Sequence, residues 1–288
     1  MQQDETRGVF PGRDRYLAAV FRDKPEMVID LPGEMLSAAD IAGYRKIKHL
    51  AIVEIAGRDS VAAAIRAVET SGYTDLLPVY AYTGSEIGAW ESVPRAVDCL
   101  ARRLPETRVH PLLLVGSPDV WCALNGRFIS EIIARFAAYT PCTGCHLYLH
   151  AVRVPLAKEL GGVPIIAGER ESHSGAVKVN QLGAALDIYQ QFLAEFGIRL
   201  ELPLRHVASG AQIEEILGMS WPRGKQQLGC CLSGNYRKTD DSVGMTEESA
   251  ARFLRRFCVA SARRMLSHYI EGKTPDPMAI AKQVIQAC

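Results

Sequence analysis

The sequence predicts an α/β fold: a doubly wound, mostly parallel sheet of about five strands with helical N- and C-terminal appendages. Two observations predict it. Short apolar runs bounded by turn residues alternate with segments of helical periodicity about five times. The length, 288 residues with 48% hydrophobic and 23% charged, suffices for one large core without disulfide staples. Strand 49–55 (HLAIVEI) leads into helix 59–70, and strand 76–82 follows, with Pro78 placing it near a sheet edge. Helix 93–103 precedes strand 109–115. A long helix is expected over 119–139 and another over 145–160, kinked at Pro155. Strand 163–167, helix 179–196 ending at Gly197, and strand 198–204 complete the alternation. Ligands of such sheets bind at the carboxyl ends of the strands.

Three regions follow from this pattern. Residues 1–45 are charged and rich in Gly and Pro, an N-terminal arm or cap. Residues 46–205 form the α/β core domain, and residues 206–288 hold a cysteine loop and helices. The last of these include 246–270, with Thr246 as N-cap and Glu247 and Glu248 in its first turn. A formal net charge of +1 excludes a strongly electrostatic nucleic-acid or lipid binder, though it permits a local basic patch. No apolar run reaches the ~20 residues of a membrane span, and the first residues carry no signal-peptide core. The expectation is a cytoplasmic protein with no membrane partner. Eight cysteines are too few for a disulfide scaffold at this length, so a subset is a candidate for metal or redox chemistry.

The segment 52–64 reads IVEIAGRDSVAAA, a strand running straight into a helix through Ala56, Gly57, Arg58, Asp59 and Ser60. Small residues admit a phosphate close to the backbone, and the new helix adds its dipole and unpaired N–H groups. Ser60 can donate a hydroxyl, Arg58 adds charge, and Asp59 can cap the helix or face Mg²⁺. An ordinary capped turn reads the same residues equally well. The loop resembles the S-G-G-x-D-S pyrophosphate loop of the PP-loop ATP pyrophosphatases, the adenine-nucleotide alpha hydrolase superfamily. Gly57, Asp59 and Ser60 match; Ile55 and Ala56 stand where that pattern has Ser and Gly. The resemblance implies that ATP binds across this loop with Mg²⁺.

Residues 141–150 read PCTGCHLYLH, and Cys142-x-x-Cys145 has metal-chelating spacing, with Gly144 and Pro141 suited to a turn. With His146 the motif also spells a c-type haem attachment signature, which a cytosolic setting disfavours; a thioredoxin-like pair is disfavoured because the motif follows a long helix. Cys230 and Cys231 lie nearly ninety residues on. Two plus one thiolates would hold a [4Fe–4S] cluster with one open iron, while two plus two would close a zinc or cluster site. Cys99, Cys122, Cys258 and Cys288 read as small hydrophobes or inert surface thiols.

This order is similar to that of cluster-dependent PP-loop enzymes that thiolate tRNA. Where those carry Gly-His-His-x-Asp-Asp after the later strand, this chain has Gly168, Glu169, Arg170, Glu171, Ser172 and His173. Together with Lys178, Asn180 and Gln181 this loop is a candidate for binding phosphates and stabilising their developing charge; the alternative is a solvated loop. Tyr82, Thr83, Gly84 and Ser85 after the second strand, and Gly116 and Ser117 after the third, are candidates for base or ribose contact, or plain turns. Arg252, Arg255, Arg256, Arg263 and Arg264, with Arg237 and Lys238 nearby, form a candidate RNA face that reads equally as a solvated helix. His146 and His150 stand at i, i+4, a ligand pair or a structural one.

The resemblance therefore implies an ATP-dependent, AMP-forming sulfurtransferase. A substrate oxygen attacks the α-phosphate, and sulfur from the cluster site or a cysteine persulfide then replaces it in a tRNA or a small molecule. A sulfur-donor protein and a homodimer are the partners this reading admits. Its rivals are ATP-dependent amide or nitrile formation beside a structural zinc or cysteine site, and a nucleotide-binding module that has lost cleavage, for which the Ile55 departure speaks.

Overall fold

The structure, a computed structural model, describes residues 27–28, 36–137, 139–173, 175–221, 228–240 and 242–288. Most of the expected N-terminal arm lies outside the described residues. The first half of the chain holds β1 (Met27–Val28), α1 (Ala38–Tyr44), β2 (Leu50–Glu54), α2 (Arg58–Ser71), β3 (Asp75–Ala81), β4 (Glu86–Ile87), α3 (Ser92–Arg103), β5 (Arg108–Val109), β6 (Leu113–Val115), α4 (Pro118–Asn125) and α5 (Ile129–Phe136). The second holds α6 (Pro141–Ala151), α7 (Val154–Glu159), β7 (Ile165–Ile166), α8 (Gly183–Ala194), β8 (Leu200–Glu201), α9 (Gly210–Leu217), β9 (Gly229–Cys230), α10 (Glu247–Phe253), α11 (Ala260–Ile270) and α12 (Pro277–Ala287).

The main sheet has the order β1-β6-β3-β2-β7-β8, with β5 beside β3, and every pairing in it is parallel. Side chains alternate between two cores, as the pleat requires. Leu50 and Ile52 of β2 face one, where they meet α4, α6, α8 and α10–α12. Ala51 and Val53 face the other, under α2, α3 and α9. Helices thus cover both faces, which explains why the strands read as continuous apolar runs rather than alternating ones. Residues beyond 205 contribute Phe253, Phe257, Met265 and Ile285 to the first core. No helix of the described residues is long and apolar enough to cross a membrane.

Several local expectations are revised. Strand 109–115 is two pieces, β5 and β6, separated by Pro111, which has no N–H to give the ladder. Pro78 is not on an edge strand: β3 is central, and Pro78 sits opposite the gap between β5 and β6. The helix expected over 119–139 breaks at Gly126 into α4 and α5. The one expected over 145–160 starts earlier, at Pro141, with Thr140 as its N-cap, and is two helices. Thr246 caps α10 as expected, through the Ser249 N–H, but residues Leu254–Val259 form a π-helical segment before α11.

The chain order fixes where a ligand goes. From β2 the chain builds outward through β3 to β6, then returns to place β7 on the other side of β2. The connections after β2 and β7 leave in opposite directions at this reversal, and a crevice opens between them.

Candidate functional site

The crevice is a cavity of about 710 Å³. Gly57, the N-cap residue of α2, and Arg58, Asp59 and Ser60 in its first turn line one wall; Gly168 and Glu169, after β7, line another. Gly168 is required there by close approach. A Cβ on it would stand 2.7 Å from the Asp59 carbonyl carbon and from the Ser60 nitrogen. Arg170 reinforces the junction, its Nε donating to Asp59 Oδ2 at 2.9 Å, while Arg58 Nε holds Oδ1 at 2.7 Å. Burial would raise the Asp59 carboxyl, but the two guanidiniums outweigh it and hold it below the usual carboxylate range.

Two roles expected of this loop change. Ser60 is buried, and its Oγ accepts from the Ala56 and Gly57 N–H groups at 2.9 and 3.0 Å while donating to the Gly57 carbonyl at 2.8 Å. Its hydroxyl therefore folds the loop rather than presenting a donor to the cavity. Asp59 neither caps α2 nor offers a free oxygen, so it does not fit a Mg²⁺ ligand.

The floor is a buried polar network that joins β2, α6 and the loop after β7. Glu54 Oε1 meets His150 Nδ1 at 2.8 Å and Arg153 at 3.4 Å. Glu169 Oε1 meets His146 Nδ1 at 2.6 Å, and Gln181 donates to Oε2. Asn180 lies 2.9 Å from the other nitrogen of His146. Burial acts to raise the Glu169 carboxyl, yet the His146 imidazole dominates and pulls it to about 2. Lys178 lines the same cavity; burial lowers its ammonium while Glu169 and Asp59 support it. Arg58 and Lys178 are thus the cations placed for a phosphate chain beside the α2 N-terminus.

A second cavity of about 130 Å³ adjoins the first and shares Ser85, Cys145, His146, Lys178, Gln181 and Cys230 with it. Cys142, Cys145 and Cys230 all line it; Cys231 does not. Cys142 and Cys145 lie in the first turn of α6, not in a loop turn. Gly144 between them serves packing: a Cβ there would stand 2.4 Å from Asn125 Oδ1 and 3.2 Å from Cys258 Sγ. Cys230 arrives on the antiparallel β4–β9 ladder, where it pairs with Glu86, and its thiol lies 3.1 Å from Ser85 Oγ. Trp121 Nε1 donates to Cys145 Sγ at 3.2 Å. Burial chiefly raises the Cys142 thiol and takes Cys145 to about 12, with the neighbouring cysteines and Glu86 adding to the rise at Cys145.

No group of three or more His, Cys, Asp or Glu among the described residues closes around a single-ion position. The three thiols instead stand around a cavity with no carboxylate in its lining. That donor set fits a soft, thiophilic group of more than one atom, a thiolate-held iron–sulfur cluster, better than a hard cation.

The remaining candidates divide. Thr83 and Ser85 line the main cavity, Asn180 the second, and Gln181 both. Tyr82 does not line either; it packs in the core beneath α2, and its carbonyl accepts from Tyr148. Gly84 has φ 78° and turns the chain toward β4. Gly116 packs on the Tyr82 carbonyl, and Ser117 caps α4. Glu171 pairs with Arg205 and His206, away from the cavity. His173 bridges to Ala176, and burial takes its imidazole down to about 4. On the arginine-rich helix, Arg252 bonds the Arg135 carbonyl and covers Phe136, and Arg263 grips Glu195 through two bonds. All five arginines of this stretch, Arg252, Arg255, Arg256, Arg263 and Arg264, are exposed.

Sequence reasoning missed Glu54, Glu86, Arg153 and Trp121. Glu54 had a signal, a carboxylate inside an otherwise apolar strand, which is costly without a partner. Glu86 had none before the β4–β9 pairing was seen.

No family model matches the chain. Over 231 residues it is 38% identical to an uncharacterized protein, MJ0009, of Methanocaldococcus jannaschii, a stretch covering 79% of this chain and 83% of that protein.

Proposed function

The chain belongs to the family of MJ0009, whose name assigns no activity, and from the chemistry of the site we propose that it is an ATP-dependent adenylating enzyme that replaces a substrate oxygen with sulfur. One observation carries the reading: the glycine loop at Gly57–Ser60 and the thiols of Cys145 and Cys230 line the same cavity, with Cys142 in the adjoining one. A phosphate chain and a thiol-held group would thus meet across one substrate position.

ATP would lie with its phosphates at the α2 N-terminus, against Arg58 and Lys178. The substrate oxygen attacks the α-phosphorus, the new P–O bond forms, and pyrophosphate leaves with the electron pair. The cations hold the charge that builds on the phosphoryl oxygens. Sulfur then bonds to the activated carbon and the C–O bond breaks, releasing AMP. Cys142, Cys145 and Cys230 would hold a [4Fe–4S] cluster, whose fourth iron supplies an open position for sulfur. Burial raises the thiols of Cys142 and Cys145, so loading the site would release their protons.

The test is metal analysis of protein purified without oxygen. The expected result is iron and acid-labile sulfide in about 1:1 ratio, with AMP formed from ATP when a sulfur source and substrate are added. Zinc without sulfide, with activity intact, would sink the cluster and favour amide or nitrile formation beside a structural cysteine site.

A further inference from the structure

Four carboxylates line the main cavity: Glu54, Asp59, Glu86 and Glu169. Asp59 and Glu169 have both oxygens engaged, and Glu54 is held by His150 and Arg153. Glu86 differs. Its Oε1 accepts three hydrogen bonds, from the Thr83 N–H at 2.8 Å, Thr83 Oγ1 at 3.0 Å and the Tyr80 hydroxyl at 3.2 Å. Its Oε2 is buried and has no partner among the described residues. The side chain is only 5% exposed. A buried carboxylate oxygen without a donor is costly, and natural folds seldom retain one without use.

The surroundings say which ligand supplies the missing donor. Glu86 pairs with Cys230 in the β4–β9 ladder, and both line the main cavity together with Cys145. Glu86 therefore stands at the thiol end of the cavity, where the exchanged group must sit, and not at the glycine loop. Tyr80, packed edge-on against Trp90 at 5.1 Å, and the Thr83 turn fix the carboxylate before any ligand arrives. A preorganised acceptor of this kind selects a donor on the substrate.

We propose that Glu86 is the specificity residue of the site, its Oε2 accepting a hydrogen bond from an N–H beside the carbonyl that is activated, so that the substrate is an amide, lactam or imide and not a carboxylic acid. A carboxylate substrate would offer no N–H to Oε2 and would bring a second negative charge into the cavity that Glu86 lines. An N–H neighbour satisfies the free oxygen and fixes which face of the carbonyl meets the α-phosphate. This rests on the sulfur-for-oxygen reading for the identity of the exchanged group, but not for the presence of the acceptor.

Glu86→Gln tests it with little change of shape. The three donors at Thr83 and Tyr80 hold the amide oxygen of Gln in place of Oε1, which leaves an NH₂ where Oε2 was and turns the acceptor into a donor. The probes are 1-methyluracil and 1,3-dimethyluracil, which differ only in the ring N–H at position 3. Each is titrated by calorimetry into anaerobically purified full chain with saturating α,β-methylene-ATP. The expected result is that wild type binds 1-methyluracil about tenfold or more tightly than its dimethyl analogue, and that Glu86→Gln loses the preference. Equal binding of the two by wild type, binding of neither, or an unchanged preference in the variant would overturn the proposal. The wild-type comparison stands even if the variant fails to fold. Iron and sulfide content, measured on the same protein, separates the two readings: a preference that survives without a cluster removes sulfur transfer and leaves Glu86 as the reader of an N–H.

Discussion

Cys230 and Cys231 are neighbours in sequence with opposite surroundings. Both are exposed, but Cys230 pairs with Glu86, touches Ser85 and lines both cavities, whereas Cys231 lines neither. β9 ends at Cys230 and the chain turns at Cys231, so Cys230 is the one of the two that reaches the cavities. Cys230→Ser, Cys142→Ala and Cys145→Ala should each remove most of the bound iron, while Cys231→Ser should leave it within error. Iron and sulfide assays on the four anaerobic variants check this; loss of iron in Cys231→Ser with retention in Cys230→Ser would reverse the assignment. Ser60 shows a second effect at this scale. Its hydroxyl satisfies two loop N–H groups and donates once itself, so Ser60→Ala should cost roughly 1–3 kcal/mol of stability through the orphaned donors. A thermal or denaturant melt reads that cost, and ATP titration should weaken with it because the loop loses its shape. An unchanged melt would mean that the bonds hold nothing in place.

Among elements, the informative junction is the first turn of α2 against the loop after β7. Gly168 lies so close to the Asp59–Ser60 peptide that any side chain must push the two apart. Gly168→Ala should therefore lower ATP affinity by about tenfold or more, with a stability loss of roughly 1–3 kcal/mol from overpacking. Gly162→Ala is the control, since a Cβ there meets only a carbonyl at 3.9 Å, although its φ of 82° adds backbone strain. It should cost stability without touching nucleotide binding; equal loss of ATP affinity in both would show that the junction is not special. The same junction shows what a sequence conveys. The five strand regions, the α2 loop and Gly168 were legible because each rests on local signals: apolar runs, a strand-to-helix glycine and a turn. The breaks at Pro111 and Gly126, the central place of Pro78 and the helical setting of Cys142 were not. Each depends on what lies opposite across the sheet or the core. Pro78 is tolerated because β5 and β6 leave a gap beside it, and Gly144 is dictated by Asn125 and Cys258, nearly twenty and more than a hundred residues away. Glu86 became visible only through a strand pairing that spans more than a hundred residues.

For the whole molecule, the site is held by a polar floor that ties together three parts of the chain far apart in sequence. Glu54 comes from β2, His146, His150 and Arg153 from α6 and the residues just after it, and Glu169, Asn180 and Gln181 from the stretch between β7 and α8. Such a network is stable only while its carboxylates stay ionised, which makes fold stability depend on pH. The sign follows from Glu169. Its folded pKa, about 2, lies below the 4.5 of an unperturbed glutamate. The unfolded chain therefore binds the proton first as pH falls. The stabilisation is complete above pH 4.5 and is lost as pH drops toward about 2, an effect on the order of 3 kcal/mol from a shift of this size. Glu54, also held below its usual value by Arg153 and His150 against the opposing effect of burial, adds in the same direction. Urea unfolding measured across pH 2 to 6 should show wild-type stability falling steeply below pH 4.5. Glu169→Gln should be less stable at pH 6, because His146 loses its charged partner, yet its profile should be flatter in the acid range, so that the two curves converge near pH 2. Parallel curves would mean that the Glu169–His146 pair does not couple the β7 loop to α6, and that some other carboxylate governs acid unfolding.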